Sequence, residues 1–157
     1  EYIIKQYHTD EDKITIIPRG IDLDRFNPNN LDNSFINDFV STHNLQDAFV
    51  ITTVGRITQL KDLQTFIESI SYLKSTHPNI KALIVGGIRE DKQEYYQSLV
   101  ELVSKLGLDD EVVFVGSSDK VAEIYHISDV AVSSSKKPES FGRSVAEALA
   151  LNTPVVA

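Results

Sequence analysis

From residue 49 onward the chain alternates short apolar, β-branched runs with amphipathic helical patterns, and this alternation constrains the fold more than any other feature. One helix between each pair of strands is typical of an α/β protein with a parallel sheet. Right-handed crossovers favour the doubly wound strand order 3-2-1-4-5. The predicted strands are 49–54, 80–85, 112–115, 129–133 and 154–157, and the predicted helices between them are 60–76, 91–106, 119–126 and 142–151.

The preceding segment has a different pattern. Residues 14–17 read as a short buried strand, and residues 34–43 have the apolar spacing of a short helix. The Asn- and Pro-rich stretch between them is typical of a linker. We therefore expect about the first thirty residues to differ in status from the rest of the chain.

The predicted strand order brings two charged loops together. In that order the first and fourth strands are neighbours, and open parallel sheets bind ligands in the crevice outside such a switch point. Arg56 and Lys61 follow the first strand, whereas Glu139 and Gly142 follow the fourth. The sequence thus predicts that these four residues meet at one ligand site.

The second of these loops carries two glutamates eight positions apart. Glu139 lies between a predicted strand and helix, and Glu147 lies within the helix. Eight helical residues rotate ~80° and rise ~12 Å, so the two carboxylates do not share one proton and are better placed to hold two parts of an extended ligand. The helix N-terminus between them, near Gly142, attracts phosphate through its unpaired N–H groups and its dipole.

The Glu139 to Glu147 stretch resembles the E-x7-E signature of retaining GT-B glycosyltransferases of family-four type, the glycosyl transferases group 1. Three further elements stand in the order that this family has. They are the connector 17–22 with Phe26 and Pro28, the G-R-x4-K-D element in 54–62 and the V-x-F-x-G strand 112–116.

The resemblance implies a Rossmann-like, nucleotide-sugar-binding domain, which is the C-terminal half of a GT-B fold and is here truncated at both ends. Residues 1–30 would be the end of the N-terminal domain and the interdomain connector. Residues 31–157 would be the donor-binding domain, incomplete at its C-terminus. An excised fragment of this kind is expected to be inactive by itself.

The resemblance also implies transfer of a sugar from a nucleotide-diphosphate sugar with retention of the anomeric configuration, in bacterial surface glycan or lipopolysaccharide synthesis. The acceptor, a glycan or a lipid-linked molecule, would bind through the missing N-terminal domain. The residues expected to be catalytic are Arg56, Lys61 and Glu139. The residues expected to bind the donor are Gly55, Arg56, Lys61, Gly116, Ser117, Glu139, Ser140, Phe141, Gly142 and Glu147.

Within that set, each part of the donor has its own expected partners. Arg56 and Lys61, with backbone N–H groups at residues 141 and 142, would meet the diphosphate, and Glu139 would meet the hydroxyls of the transferred sugar. Glu147 would bind the ribose, and Gly116 and Ser117 would lie near the base. Two cations and a helix terminus already neutralise a diphosphate, so no metal and no cofactor are expected.

Composition narrows the function further. The net charge of −8 argues against a nucleic-acid partner, since such surfaces are usually basic. The chain has no cysteine, and its four histidines are too scattered for a zinc site. No apolar run approaches the ~18 residues of a membrane span. The expected location is cytoplasmic, with peripheral association of the full-length protein at the inner face of the membrane left open.

Two other functions remain open at this point. A GT-B sugar-nucleotide epimerase would share the fold and the ligand but transfer nothing, and an NAD-dependent dehydrogenase would share the sheet. The missing G-x-G-x-x-G and the basic pair disfavour the dehydrogenase. The residue-level alternatives are that Glu147 lies on a solvated helix face and that Glu139 compensates Lys136 and Lys137.

Overall fold

The computed structural model describes residues 2–15, 17, 19–137, 139 and 141–157. Its centre is a five-stranded parallel sheet in the order β3-β2-β1-β4-β5, which confirms the predicted doubly wound topology. The strands are β1 Phe49–Val54, β2 Ile80–Val85, β3 Val112–Gly116, β4 Val130–Val132 and β5 Val155–Val156. The α-helices are α1 Tyr2–Tyr7, α2 Asn33–Thr42, α3 Leu63–Lys74, α4 Gln93–Lys105, α5 Val121–His126 and α6 Arg143–Ala150.

Helices cover both faces of this sheet, as the apolar character of the central strands requires. Along β2, Ala82 and Ile84 belong to the buried cluster that includes α3 and α4. The alternate residues Leu83 and Val85 belong to the cluster that includes α2 and α5. Because successive strand side chains point to opposite faces, one short strand contributes to two core layers.

The four helices predicted between the strands each begin one to three residues later than predicted, and a left-handed residue precedes two of them. Asp62 has φ 47° and precedes α3, and Gly142 has φ 67° and precedes α6. A residue in the left-handed conformation cannot belong to a right-handed helix, so the helix starts after it. Gly and Asp adopt this conformation more readily than most residues. Lys61 consequently lies in the 3₁₀ turn Gln59–Lys61 and not in the first turn of a longer helix.

The strand predicted at 14–17 has no counterpart among the described residues of that stretch. Ile14, Thr15 and Ile17 lie outside any strand, and Ile16 lies outside the described residues. Ile17 is 83% exposed. None of the five described strands pairs with this stretch. The proposed division of the chain at residue 30 stays a prediction.

The segment before α2 is fastened to the sheet domain. Phe26 is buried in the cluster that includes Tyr125 of α5 and Ala148 of α6. The Arg25 guanidinium donates a hydrogen bond of 2.6 Å to the carbonyl of Asp119. Arg25 and Phe26 therefore fix the chain just before α2 beside α5 and α6. None of the helices in the described part of the chain is long and apolar enough to cross a membrane.

Candidate functional site

A cleft of about 760 Å³ lies where the carboxyl ends of β1, β2, β3 and β4 meet. Eight of the ten residues predicted to bind a ligand line it. They are Gly55, Arg56, Lys61, Ser117, Glu139, Phe141, Gly142 and Glu147. Gly116 ends β3 and does not itself line the cleft, and Ser140 lies outside the described residues. The convergence expected from the strand order is therefore present.

The loops after β1 and β2 touch through their backbones. A Cβ added to Gly86 would lie 1.9 Å from the carbonyl oxygen of Gly55, so only glycine permits this approach. The Gly55 amide donates to the Val85 carbonyl at 2.9 Å, and the Ile57 amide donates to the Gly87 carbonyl at 3.2 Å. These bonds flank residue 56 and fix the loop that carries Arg56.

The loop after β4 is clamped to the loop after β1. The Ser134 hydroxyl donates to the Lys61 carbonyl at 2.7 Å, and the Lys136 amide donates to the Leu60 carbonyl at 2.9 Å. The Lys136 ammonium lies 3.3 Å from the Asp62 carboxylate. Lys136 thus compensates Asp62, and the two charged loops form one wall of the cleft.

Lys61 and Glu139 form a direct ion pair across this clamp. The same Glu139 oxygen accepts a hydrogen bond of 2.9 Å from the Ser135 hydroxyl. The bond from Lys61 is the largest cause that holds the pKa of Glu139 below its usual value, and Ser135 acts in the same direction. Glu139 is therefore ionised at neutral pH and oriented by two donors.

The N-terminus of α6 opens into the cleft. Gly142 is its left-handed N-cap, and Gly142, Arg143 and Ser144 all line the cleft. The first N–H groups of a helix have no partner within it and carry its positive dipole end. This terminus can therefore accept an anion.

Glu147 lies one turn further along α6 and is not a solvated surface acid, because its side chain is only 15% exposed. Its carboxylate is 3.6 Å from the Arg143 guanidinium. Burial raises the pKa of Glu147, while Arg143 and Arg25 oppose that shift. Burial, and then the Glu147 charge, also raise the pKa of the adjacent Tyr125 hydroxyl. A ligand that donates hydrogen bonds to the Glu147 carboxylate would therefore stabilise its charged form.

Several lining residues were not predicted as site residues. Arg19 and Gly20 come from the connector, Gly86 and Gly87 from the end of β2, and Arg143 from the start of α6. The glycine pair was recognisable, since all parallel strands end at the same edge of a sheet. Arg143 directly follows a predicted site residue. Arg19 had no sequence signal, because the path of a connector depends on tertiary contacts.

The cleft has a charge opposite to that of the whole chain. Four cationic and two anionic side chains line it, in a chain of net charge −8. The cations are Arg19, Arg56, Lys61 and Arg143. Among the described residues, no three His, Asp or Glu side chains are grouped as a metal site would require. The arrangement is suited to an anionic ligand that also offers hydroxyl groups to carboxylates.

Comparison with known proteins identifies the family. The family model described as glycosyl transferases group 1 matches residues 35–157, most of the chain. The chain belongs to this family. Its sheet and helices match the C-terminal domain of GT-B glycosyltransferases.

Relatives in the glycosyl transferases group 1 family are longer than this chain. A D-inositol 3-phosphate glycosyltransferase of Rhodococcus opacus is 31% identical over 100% of this chain, which spans 35% of that relative. The structure of a glycosyltransferase of Rickettsia africae is 29% identical, with a TM-score of 0.85 over 98% of this chain and 40% of its own. Anabaena HepE, solved in complex with UDP-glucose, shares the fold at 24% identity, with a TM-score of 0.83 over 98% of this chain and 40% of its own.

Proposed function

We propose that the cleft binds the nucleotide-diphosphate sugar donor of a glycosyltransferase that retains the anomeric configuration. One observation carries the proposal: four cations, a helix N-terminus and two separated carboxylates line a single cleft at the switch point of the sheet. Membership of the glycosyl transferases group 1 family supports transfer as the reaction. The UDP-glucose bound by Anabaena HepE supports this class of donor.

In this proposal Arg56, Lys61 and the N-terminus of α6 meet the diphosphate. Breaking the anomeric C–O bond leaves negative charge growing on the diphosphate, so donors aimed at it stabilise the transition state more than the ground state. One charge-assisted contact contributes roughly 1.5–3 kcal/mol. Loss of one such contact therefore slows transfer by roughly tenfold to a hundredfold.

The two carboxylates hold different parts of the donor. Glu139, on the loop and beside Lys61, would accept hydrogen bonds from the transferred sugar. Glu147, mostly buried on α6 next to Arg143, would accept them from the ribose. Hydrogen bonds from the ribose hydroxyls would replace the hydrogen bonds from water that the carboxylate loses on burial. Ser117, which lines the cleft just after β3, would lie towards the base.

The proposal has three further parts: the anomeric configuration is retained, the acceptor is a glycan or lipid-linked molecule of the bacterial surface, and no metal is needed. Retention rests on the E-x7-E resemblance, and the whole protein would supply the acceptor site. Metal independence rests on charge, because the lining cations can neutralise a diphosphate without help. Donor binding is therefore expected to be unchanged by a chelator.

Calorimetric titration of the chain with UDP, GDP, ADP and NAD tests the proposal. We expect weak binding of at least one nucleoside diphosphate, no binding of NAD and no sugar transfer by this chain alone. Lys61→Ala should weaken the binding by about tenfold, whereas Lys105→Ala, at an exposed lysine in the last turn of α4, should leave it unchanged. NAD binding without diphosphate binding would favour a dehydrogenase domain and contradict the proposal.

A further inference from the structure

The two residues with the most direct expected roles in the cleft are bonded to each other. Lys61, expected at the diphosphate, pairs with Glu139, expected at the sugar. A lysine cannot neutralise this carboxylate and a diphosphate fully at the same time. We propose that Lys61 is an exchange residue: a binding diphosphate takes its ammonium from Glu139, and this transfer frees Glu139 to accept hydroxyl groups. The inference rests on the proposed function and adds an order of events to it.

The lysine side chain can move while its backbone stays fixed. The Lys61 carbonyl accepts the Ser134 hydroxyl, which holds the main chain of the turn. The aliphatic part of the side chain crosses Gly55, where an added Cβ would lie 2.8 Å from Cε and 3.4 Å from Cδ and Nζ. Glycine at this point accommodates the lysine side chain in its paired position, and a lysine is a flexible tether that lets a point charge change partner.

Glu139 keeps a partner when the ammonium leaves. The Ser135 hydroxyl donates to the same carboxylate oxygen that Lys61 contacts. Ser135 is therefore a positioning residue: it holds the carboxylate in place through the exchange. The released oxygen lone pairs are then available to sugar hydroxyls in an orientation already set.

The charges of the other lining residues favour the diphosphate as the first contact. Glu147 is paired with Arg143, as Glu139 is with Lys61. In the described part of the chain, the remaining lining cations, Arg19 and Arg56, have neither an ion pair nor a side-chain hydrogen bond. A diphosphate meets these two cations first and then competes for Lys61 with a greater negative charge than a single carboxylate has.

The ion pair is weak enough to be exchanged. The side chain of Lys61 is 25% exposed and that of Glu139 is 35% exposed, so water screens their attraction. Ion pairs of this kind change equilibria by about twofold to fivefold. A sugar that lacks a diphosphate meets a carboxylate that is already neutralised. The exchange thus makes sugar recognition depend on the diphosphate of the same donor.

Titration of the chain with inorganic pyrophosphate, followed by NMR, tests the exchange without any sugar or base. The four proteins are the wild type, Glu139→Gln, Lys61→Ala and the double variant. We expect Glu139→Gln to bind pyrophosphate about twofold to fivefold more tightly, because it no longer competes for Lys61. Lys61→Ala should bind about tenfold more weakly. The double variant should match Lys61→Ala, because no competition remains to be removed.

A carboxylate that acted only on the sugar would leave pyrophosphate affinity unchanged, and that result for Glu139→Gln would overturn the exchange. The exchange would also be overturned if Glu139→Gln raised pyrophosphate affinity by the same factor with Lys61 present and with Lys61→Ala. The cause would then be the removal of a negative charge from the cleft and not the release of Lys61. Glu101→Gln, an exposed change of the same charge on α4, controls for net charge and should have no effect. Absence of pyrophosphate binding by the wild type and by Glu139→Gln would instead remove the diphosphate site itself, and the exchange with it.

Discussion

Two clusters of ion pairs face the carboxyl ends of the strands, and they differ in what depends on them. At the start of α2, Lys120 lies 2.8 Å from Asp32, and Asp32 also accepts the amides of Ser34 and Phe35 as the N-cap of this helix. The Asp32 amide in turn donates to Glu123 at 3.3 Å. In the cleft, the Lys61–Glu139 pair involves only side chains, with Ser135 as its further partner.

This difference separates a structural ion pair from one that is available to a ligand. The Asp32 carboxylate completes the hydrogen bonding of a helix start, so its loss leaves backbone donors unpaired. Glu139 completes no helix or strand, so its partner can change without cost to the fold. A Lys–carboxylate pair therefore supports the fold at Asp32 and stays available to a ligand at Glu139.

The largest expected effect is that of Lys61→Ala on catalysis. In the full-length enzyme we expect sugar transfer to fall by roughly tenfold to a hundredfold, because a charge-assisted contact to the leaving diphosphate is lost. The melting temperature should change by no more than ~2 °C, because the partly exposed Lys61 side chain contributes little to the core. Steady-state kinetics and thermal melting measure the two effects. Near-normal turnover at saturating donor would show that Lys61 does not act on the diphosphate.

Asp32→Ala should have the reverse profile. We expect the melting temperature to fall by ~2–6 °C, because the N-cap of α2 and the partner of Lys120 are lost together. Pyrophosphate affinity should stay within about twofold of the wild type, since exposed charges at a distance are screened. Asp38→Ala, an exposed aspartate later in the same helix, is the matched control.

Asp32→Asn separates the two causes. Asparagine caps helices about as well as aspartate, so this variant keeps the cap and loses the ion pair. A melting temperature close to that of the wild type would assign the stability to the cap. A melting temperature as low as that of Asp32→Ala would assign it to Lys120 and weaken the contrast between the two clusters.

The contrast also predicts a smaller effect for Ser135→Ala. Without the hydroxyl, Glu139 loses the donor that holds it in place, so transfer by the full-length enzyme should fall by about threefold to tenfold. Pyrophosphate affinity and melting temperature should stay near those of the wild type. Ser133→Ala, in the same loop, is the control. Equal losses of affinity and transfer would mean that Ser135 touches the diphosphate itself.

The sheet order was predictable because it depends on regular patterns. Alternating strands and helices, with one handedness of crossover, leave few topologies. The convergence of Arg56, Lys61, Glu139 and Gly142 followed from that order. A single sequence therefore placed the two loops of the cleft correctly without any knowledge of their contacts.

The contacts within the cleft were not predictable, because they depend on single hydrogen bonds and backbone angles. The Ser134 hydroxyl holds the backbone of Lys61 on the wall that also carries Glu139, and serine in a loop has many other partners available. Arg19 lines the cleft because of where the connector lies on the domain, and that position depends on tertiary contacts. The strand expected at 14–17 depends on a partner strand, which no local pattern specifies.

The smallest predicted effect is a gain of stability in Glu147→Gln. Burial raises the pKa of Glu147 in the folded chain, so the folded state binds more protons than the unfolded state between the unfolded and folded pKa values. Stability therefore falls as pH rises through that window, and at neutral pH the ionised carboxylate destabilises the fold. Glutamine has no charge to desolvate, so the variant should melt ~1–3 °C higher at neutral pH.

That gain should shrink on acidification and disappear below the unfolded pKa, at about pH 4, where Glu147 is protonated in both states. The same variant should bind nucleoside diphosphates more weakly if the carboxylate holds the ribose, while its pyrophosphate affinity should not fall. Thermal melting at neutral pH and near pH 4, with Glu101→Gln as the control for net charge, measures the stability effect. A lower melting temperature at neutral pH would mean that the ion pair with Arg143 stabilises the fold by more than burial of the charge destabilises it. Glu147 would then be a stabilising carboxylate, as Asp32 is.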